Sequence, residues 1–253
     1  MKSFLFLLIF VSLSVGQTGL RKDRQLLVDF RNDQASTPLR ITPTAQRMVL
    51  SKLFRKYLTD QDQCKSDFDW SNADDPLAAA RKAGQIVPSI TAVATGSFTA
   101  AGQTQTAYVI SVSECNASHA DNFGTKRVAI FSGQQLVANV DADFNGNIIR
   151  KTDLNSDGVD ELLMSASDMA MGTVIEVAEL VEFRNGRRRV IEDFGTVFED
   201  SCASGFPGSS AKASVLSMTD FELGKMPKLR IDNYVSSCRN VKRWRFLSTG
   251  KMQ

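Results

Sequence analysis

Apolar residues change their spacing once along this chain, near residue 85. Before that point they recur every three to four positions. Val49, Leu53 and Tyr57 are spaced by four, with Leu50, Phe54 and Leu58 beside them. This spacing lines one side of a helix. Thr42 is suited to its N-cap. Pro43 falls at the first helical position, where the missing N–H leaves no bond unmade. Arg47, Lys52, Arg55 and Lys56 take much of the other face, which predicts an amphipathic helix of about four turns. A cover over one side of a sheet suits it better than a berth on a membrane surface, because a leader already accounts for export. Pro76–Ala83 predicts a second, shorter helix ended by Gly84.

From Ile86 onward the pattern is that of strands. Short runs of β-branched and aromatic residues alternate with Gly, Asn, Asp and Ser. Strands are predicted over Ile90–Phe98, Thr106–Ser113, Lys126–Phe131 and Gln135–Val140. A second group covers Ile148–Asp153, Glu161–Ser167, Thr173–Phe183 and Arg188–Phe198. A third covers Ala213–Met218, Lys228–Val235 and Val241–Ser248. Asn185-Gly186 is the strongest hairpin signal. Val241, Trp244 and Phe246, with Lys242, Arg243 and Arg245 between them, predict a half-buried edge strand with its charges outward. The basic run Arg187–Arg189 is expected at a solvated hairpin tip.

One loop interrupts the β region with a different chemistry: TDLNSDGVDELLM, from Thr152 to Met164. Asp153, Asn155 and Asp157 alternate, Gly158 bends the chain, and Glu161 follows four residues after Asp157. Side-chain oxygens at alternate positions of a curled loop turn inward together, as a hard cation such as Ca²⁺ requires. Leu154 and Ser156 are expected to point away. Asp160 is expected to face outward and meet an Arg or Lys. An EF-hand begins the same way but needs a glutamate at position 12, where this chain has Met164, and a helix after it. The competing account is an Asx-rich turn with no ion, against which three crowded carboxylates would repel one another.

Three segments align as copies of one unit, beginning at Ala94, Arg150 and Leu216. Each has a strand, a turn with a glycine midway and a second strand. The first copy carries Ser97, Thr99 and Ala101 where the middle one has its acids, and the third carries Thr219, Phe221 and Leu223. The middle copy resembles the FG-GAP/VCBS repeat, the calcium-loop hairpin of integrin-α-type β-propeller blades. The resemblance covers about fifteen residues. It implies ligands at loop positions 1, 3, 5 and 9 and a carbonyl at 7, which here are Asp153, Asn155, Asp157, Glu161 and Val159. The expected fold is therefore mainly β, with blade-like antiparallel repeats near 88–146, 147–205 and 211–250, a partial or degenerate propeller. Three copies fall short of the four blades of a closed propeller.

The first sixteen residues have a lysine, an apolar run over Phe4–Val11 and small residues at Ser14-Val15-Gly16. This predicts a secretory signal peptide cut before Gln17; the run is too short to span a bilayer. No cysteine sits at the cut, which argues against a bacterial lipid anchor. The expected order is a signal peptide over 1–16, a poorly ordered lead-in over 17–41 that docks at most one short element, a helical cap over 42–84 and a β-repeat domain over 85–253. The expected place is secreted or periplasmic, without an integral membrane segment after cleavage. Four cysteines in an exported chain suggest two disulfides, and neighbour pairing, Cys64–Cys115 and Cys202–Cys238, is preferred among the three connectivities. The absence of a CxxC argues against zinc. A net charge of +2 lacks the basic surplus of a nucleic-acid binder.

Material for catalysis is sparse. His119 is the one histidine, and with Cys115 nearby it reads as a surface residue beside a disulfide cysteine. Asn116-Ala117-Ser118 forms an N-glycosylation triplet. A carboxylate pair for a secreted hydrolase of glycans or peptides could be drawn from Asp141, Asp143, Glu176 and Glu179. The favoured expectation is a Ca²⁺-binding module that engages an extracellular or envelope protein or a glycan.

Overall fold

A computed structural model describes residues 24–32, 41–65, 76–115, 125–143, 146–240 and 243–252. The expected signal peptide, most of the lead-in, His119 and the Asn116–Ser118 triplet lie outside the described residues.

The first sheet is a four-stranded antiparallel meander: β2 (Ile86–Gly96), β3 (Gln105–Glu114), β4 (Thr125–Ser132) and β5 (Gln135–Asp141), hydrogen-bonded in chain order. The second runs β6 (Asn147–Thr152), β7 (Glu161–Ala170), β8 (Thr173–Glu182), β9 (Arg189–Asp200), β10 (Ser210–Thr219), β11 (Lys228–Ser237) and β12 (Arg245–Thr249), again antiparallel neighbours in chain order. The described part of the chain is therefore mainly β and antiparallel. β1 (Gln25–Asp29) joins the second sheet from the far end of the sequence. It shares one edge of β10 with β9: β9 pairs with Ala211–Ala213 and β1 with Val215–Met218.

Alternation along the strands explains how these layers stack. In β3, Ala107 and Val109 face the second sheet, where they meet Leu162, Met164, Val181 and Phe183. Tyr108, Ile110 and Val112 point the other way, into a core shared with Val49, Leu50 and Phe54. A strand covered on both faces reads as a nearly unbroken apolar run, as TAYVISV does. β7 is buried on both sides likewise: Leu162 and Met164 join the core between the sheets, and Leu163 joins a third core inside the second sheet with Leu27, Phe30, Leu180 and Phe194.

Helix α1 (Pro43–Leu53) starts as the sequence predicts, with the Thr42 hydroxyl accepting the Ala45 N–H at 3.2 Å. It stops at Leu53, a turn short of expectation. Phe54 is extended (φ −124, ψ 123), which sinks its ring into the core, and the Leu58 N–H then donates to the Ile86 carbonyl at 2.8 Å. Sheet contacts thus override the helical period. α2 (Pro76–Ala83) ends at Gly84, where φ is +74 and an added Cβ would strike the Lys56 side chain at 2.8 Å. The lead-in docks one short element, the five-residue strand β1. Two further differences stand out. Asn185 and Gly186 are left-handed as a hairpin turn wants, but they sit in a 3-10 turn, Arg184–Gly186. β12 begins later than expected and is exposed along its whole length, so no face of it is half-buried.

Both disulfides join neighbours in sequence. Cys64–Cys115 ties the segment after α1 to the end of β3, and Cys202–Cys238 ties the turns after β9 and β11. The loops they close, 51 and 36 residues in separation, correspond to about 3–4 kcal/mol each. Such bonds persist in oxidising compartments. Among the described residues, no helix is long and apolar enough to cross a membrane.

Candidate metal centre

Three connections in the fold have the same length. Residues 97–104 link β2 to β3, 153–160 link β6 to β7 and 220–227 link β10 to β11, eight residues each. The strand after each is ten residues long. The middle loop touches both of the others. The Asp160 N–H donates to the Ser97 carbonyl and the Asp160 carboxylate accepts the Ser97 N–H, both at 2.7 Å. The Gly224 N–H donates to the Asn155 carbonyl at 2.7 Å. The middle loop is therefore the contact point between the two sheets and a third hairpin.

Close packing dictates two glycines here. A Cβ at Gly96 would collide with Asp160 Oδ2, and Gly158, at φ +82, faces Ala101. Asp160 does not stand free: besides Ser97 it meets Lys151 Nζ at 3.4 Å. Leu154 turns away from the loop, as expected, into the core of the second sheet.

The oxygens of the middle loop are gathered on its own backbone. Asp153 accepts the N–H groups of Asp157 (3.1 Å) and Gly158 (2.9 Å). Asn155 Oδ1 accepts the Asp157 N–H at 3.1 Å, and its Nδ2 donates to Asp157 Oδ2 at 3.0 Å. Asp157 Oδ1 accepts the Val159 N–H at 2.9 Å, while Arg184, from the turn after β8, ion-pairs with Oδ2. Burial acts to raise the Asp157 pKa, but the Val159 N–H, Arg184 and Asn155 outweigh it and hold it below the usual value. Val159 has a buried apolar side chain, so only its backbone carbonyl could serve a cation.

Glu161 differs from the others. It opens β7 and is 0% exposed. Its Oε2 accepts the Leu154 N–H at 2.8 Å, and its Oε1 is buried with no hydrogen-bond partner among the described residues. Burial, with the charges of Asp153 and Asp157 adding to it, pushes its pKa up to about 7, against the pull of the Leu154 N–H. A buried carboxylate oxygen facing like charges needs either a proton or a cation.

The first loop shows what the same turn does without acids. Gln105 holds the position of Glu161, is 2% exposed, and its Oε1 accepts the Phe98 and Thr99 N–H groups, each at 2.9 Å. Its Nε2 donates to Thr99 Oγ1 at 2.6 Å. Gly102 takes φ +70 in the sixth loop position, as Gly158 does at +82. A neutral amide thus closes this turn with its polar atoms satisfied, so the acids of the middle loop are not needed for its shape. In the third loop the matching residue is the exposed Lys228, ion-paired to Asp220 at 2.8 Å.

The donor chemistry of Asp153, Asn155, Asp157, the Val159 carbonyl and Glu161 is that of a hard-cation site: all oxygen, three of the groups carboxylates. Among the described residues, no group of three or more His, Cys, Asp or Glu side chains is placed to hold a metal ion. The loop's set also draws on an amide and a carbonyl, and Arg184 holds Asp157. Sequence spacing singled out the five oxygen-bearing groups of the loop. It missed Arg184, which lies 27 residues on and reaches the loop only through the fold.

The carboxylates considered for hydrolysis do not form a free pair. Arg188 lies between two of them, on Asp143 at 2.5 Å and on Glu179. Asp141 instead accepts the Asp143 N–H at 2.7 Å. In the basic run Arg187 and Arg189 are exposed, as expected, but Arg188 is largely covered and Arg189 also pairs with the buried Glu182 at 2.6 Å. Comparison of the chain with protein-family models, with curated proteins and with solved structures finds no match.

Proposed function

We propose that this is an exported Ca²⁺-binding β-repeat protein, acting as a binding or structural module, in which the ion locks the meeting point of the three loops. The repeats are of FG-GAP/VCBS type in this proposal, each a four-stranded blade-like unit: β2–β5, β6–β9, and β10–β12 completed by β1. The equal loop lengths and the equal strands that follow support that division. The observation that carries the calcium reading is Glu161 Oε1, a buried carboxylate oxygen without a partner beside Asp153 and Asp157. Ca²⁺ would be held by Asp153, Asn155, Asp157, the Val159 carbonyl and Glu161. It supplies charge neutralisation and rigidity, and no chemical step. Secretion or a periplasmic location follows from the leader and fits the disulfides. The partner is an extracellular or envelope protein or a glycan.

Differential scanning calorimetry of the mature chain in EDTA and in excess Ca²⁺ tests this. Saturation at a hundred times Kd adds about 2.7 kcal/mol, which raises Tm by about 5–10 °C in a chain of this size. Asp157→Ala should remove that rise. A transition that ignores both chelator and calcium defeats the proposal.

A further inference from the structure

The second sheet ends at β12, and among the described strands none pairs with its outer edge. Every residue of β12, RFLST, is exposed. In an antiparallel pair alternate residues turn their N–H and C=O groups away from the partner, so this edge offers unpaired backbone groups to a further strand. Its charge is one-sided. Residues 233–253 hold five basic residues and no Asp or Glu, in a chain whose net charge is only +2. Arg239, Arg243 and Arg245 are exposed, and Lys251 reaches across to Glu192 at 3.6 Å. Two large apolar side chains stand between Arg245 and Lys251. Phe246 is 54% exposed and lies edge-on to the Tyr234 ring at 5.8 Å, and Leu247 is 52% exposed. Leu247 is the extra residue of a bulge, since Phe246 and Ser248 pair with the consecutive residues Tyr234 and Asn233.

Edge charges and a bulge keep a sheet from joining copies of itself. Two β12 strands paired antiparallel about Leu247 would set Arg243 of each against Lys251 of the other, and like charges opposed across strands repel. The same charges attract an acidic strand, and a guard alone does not account for the exposed Phe246 and Leu247. We infer that the outer edge of β12 takes up an extended acidic segment of a partner protein as an added strand. Backbone hydrogen bonds join the segment to β12, its carboxylates meet Arg243 and Arg245, and its apolar residues cover Phe246 and Leu247. The inference rests on the reading of this chain as a binding module and gives the partner a chemistry; it does not depend on the ion.

The experiment is a titration of the full mature chain, with and without Ca²⁺, followed by ¹H–¹⁵N NMR and isothermal calorimetry. The probes are end-blocked peptides of about eight residues, long enough for one strand: alternating Glu-Val, alternating Lys-Val, and Glu-Val methylated at every backbone nitrogen. The methylated peptide keeps the charge and the side chains but has no N–H to donate. Glu-Val should saturate with a Kd of about 10–100 µM, shift the amides of residues 243–249 and slow the exchange of those that face outward. Lys-Val should not bind, and the methylated peptide should bind about tenfold more weakly or worse. The double variant Arg243→Glu/Arg245→Glu, at two exposed positions, should lose Glu-Val by about tenfold or more and gain Lys-Val. The inference is overturned if Glu-Val does not saturate below about 1 mM, or if the double variant, with an unchanged melting transition, binds as the parent does. Equal binding of the methylated peptide also overturns it, because the surface would then take polyanions in general. Dimerisation through β12, seen by analytical ultracentrifugation and abolished in the double variant, would assign the edge to a second copy and overturn it as well. Failure of the peptides with an intact calcium response removes this surface alone; binding of Glu-Val by a chain that ignores calcium removes the ion and keeps the surface.

Discussion

The loops at 97–105 and 153–161 make the same turn with opposite chemistry. In each, the first residue of the following strand is buried and reaches back to the N–H of the loop's second residue: Gln105 to Phe98 and Glu161 to Leu154. Gln105 finishes the job with a second acceptor bond and a donor bond to Thr99. Glu161 has a single bond, a lone oxygen and two anionic neighbours. Since the neutral version shows that the turn closes without acids, the acids of the other loop are an addition to the turn. An addition that costs stability by itself calls for a compensating charge.

Exchanging or deleting these groups tests the comparison. Gln105→Ala should have the largest effect, about 3 kcal/mol of destabilisation by urea unfolding. It strands the Phe98 and Thr99 N–H groups and leaves a cavity. The loss should be the same with and without calcium. Glu161→Gln gives the middle loop the side chain of the first. In EDTA it should stabilise by about 1–2 kcal/mol, because a neutral amide replaces a buried carboxylate beside two like charges, and it should also abolish the calcium response. A Glu161→Gln protein that is less stable than the parent in EDTA would break the parallel between the loops.

The parent should also show a pH dependence that the Glu161→Gln protein lacks. The folded chain keeps the Glu161 proton up to about pH 7, whereas the unfolded chain releases it near 4.5. Across that window the folded state binds more protons, so raising the pH favours unfolding and the EDTA-treated protein loses stability between about 4.5 and 7. Parallel stability curves for the two proteins across that window would contradict this. Arg184→Gln should act least, tightening calcium by a few-fold in calorimetry, since an ion pair of a half-exposed arginine is worth about 1 kcal/mol or less. Weaker calcium binding in that variant would show that Arg184 supports the site and does not compete for it.

Much of this was legible in the sequence because strands and Asx-rich turns are local patterns. The runs Thr106–Ser113 and Glu161–Ser167 lie within observed strands, and the alternation of Asp153, Asn155 and Asp157 marks the curled loop. What the sequence hid depends on distant partners. The end of α1 is set by Phe54 entering the core against β3, with no stop signal of its own. β1 exists only because β10 offers it an edge. Gln105 looks like any polar residue at a strand start, and only its burial and its three bonds reveal it as the counterpart of Glu161.

The place of β1 beside β10 has a consequence for how the chain is made. Arg24 and Ser217, which are bonded across this pairing, are 193 residues apart. As the polypeptide emerges, its earliest strand must wait, without a mate, until nearly the whole sequence has followed. Contacts of such separation form late. The segment at 25–29 therefore stays outside the sheet until the hairpin of β10 and β11 gives it its place.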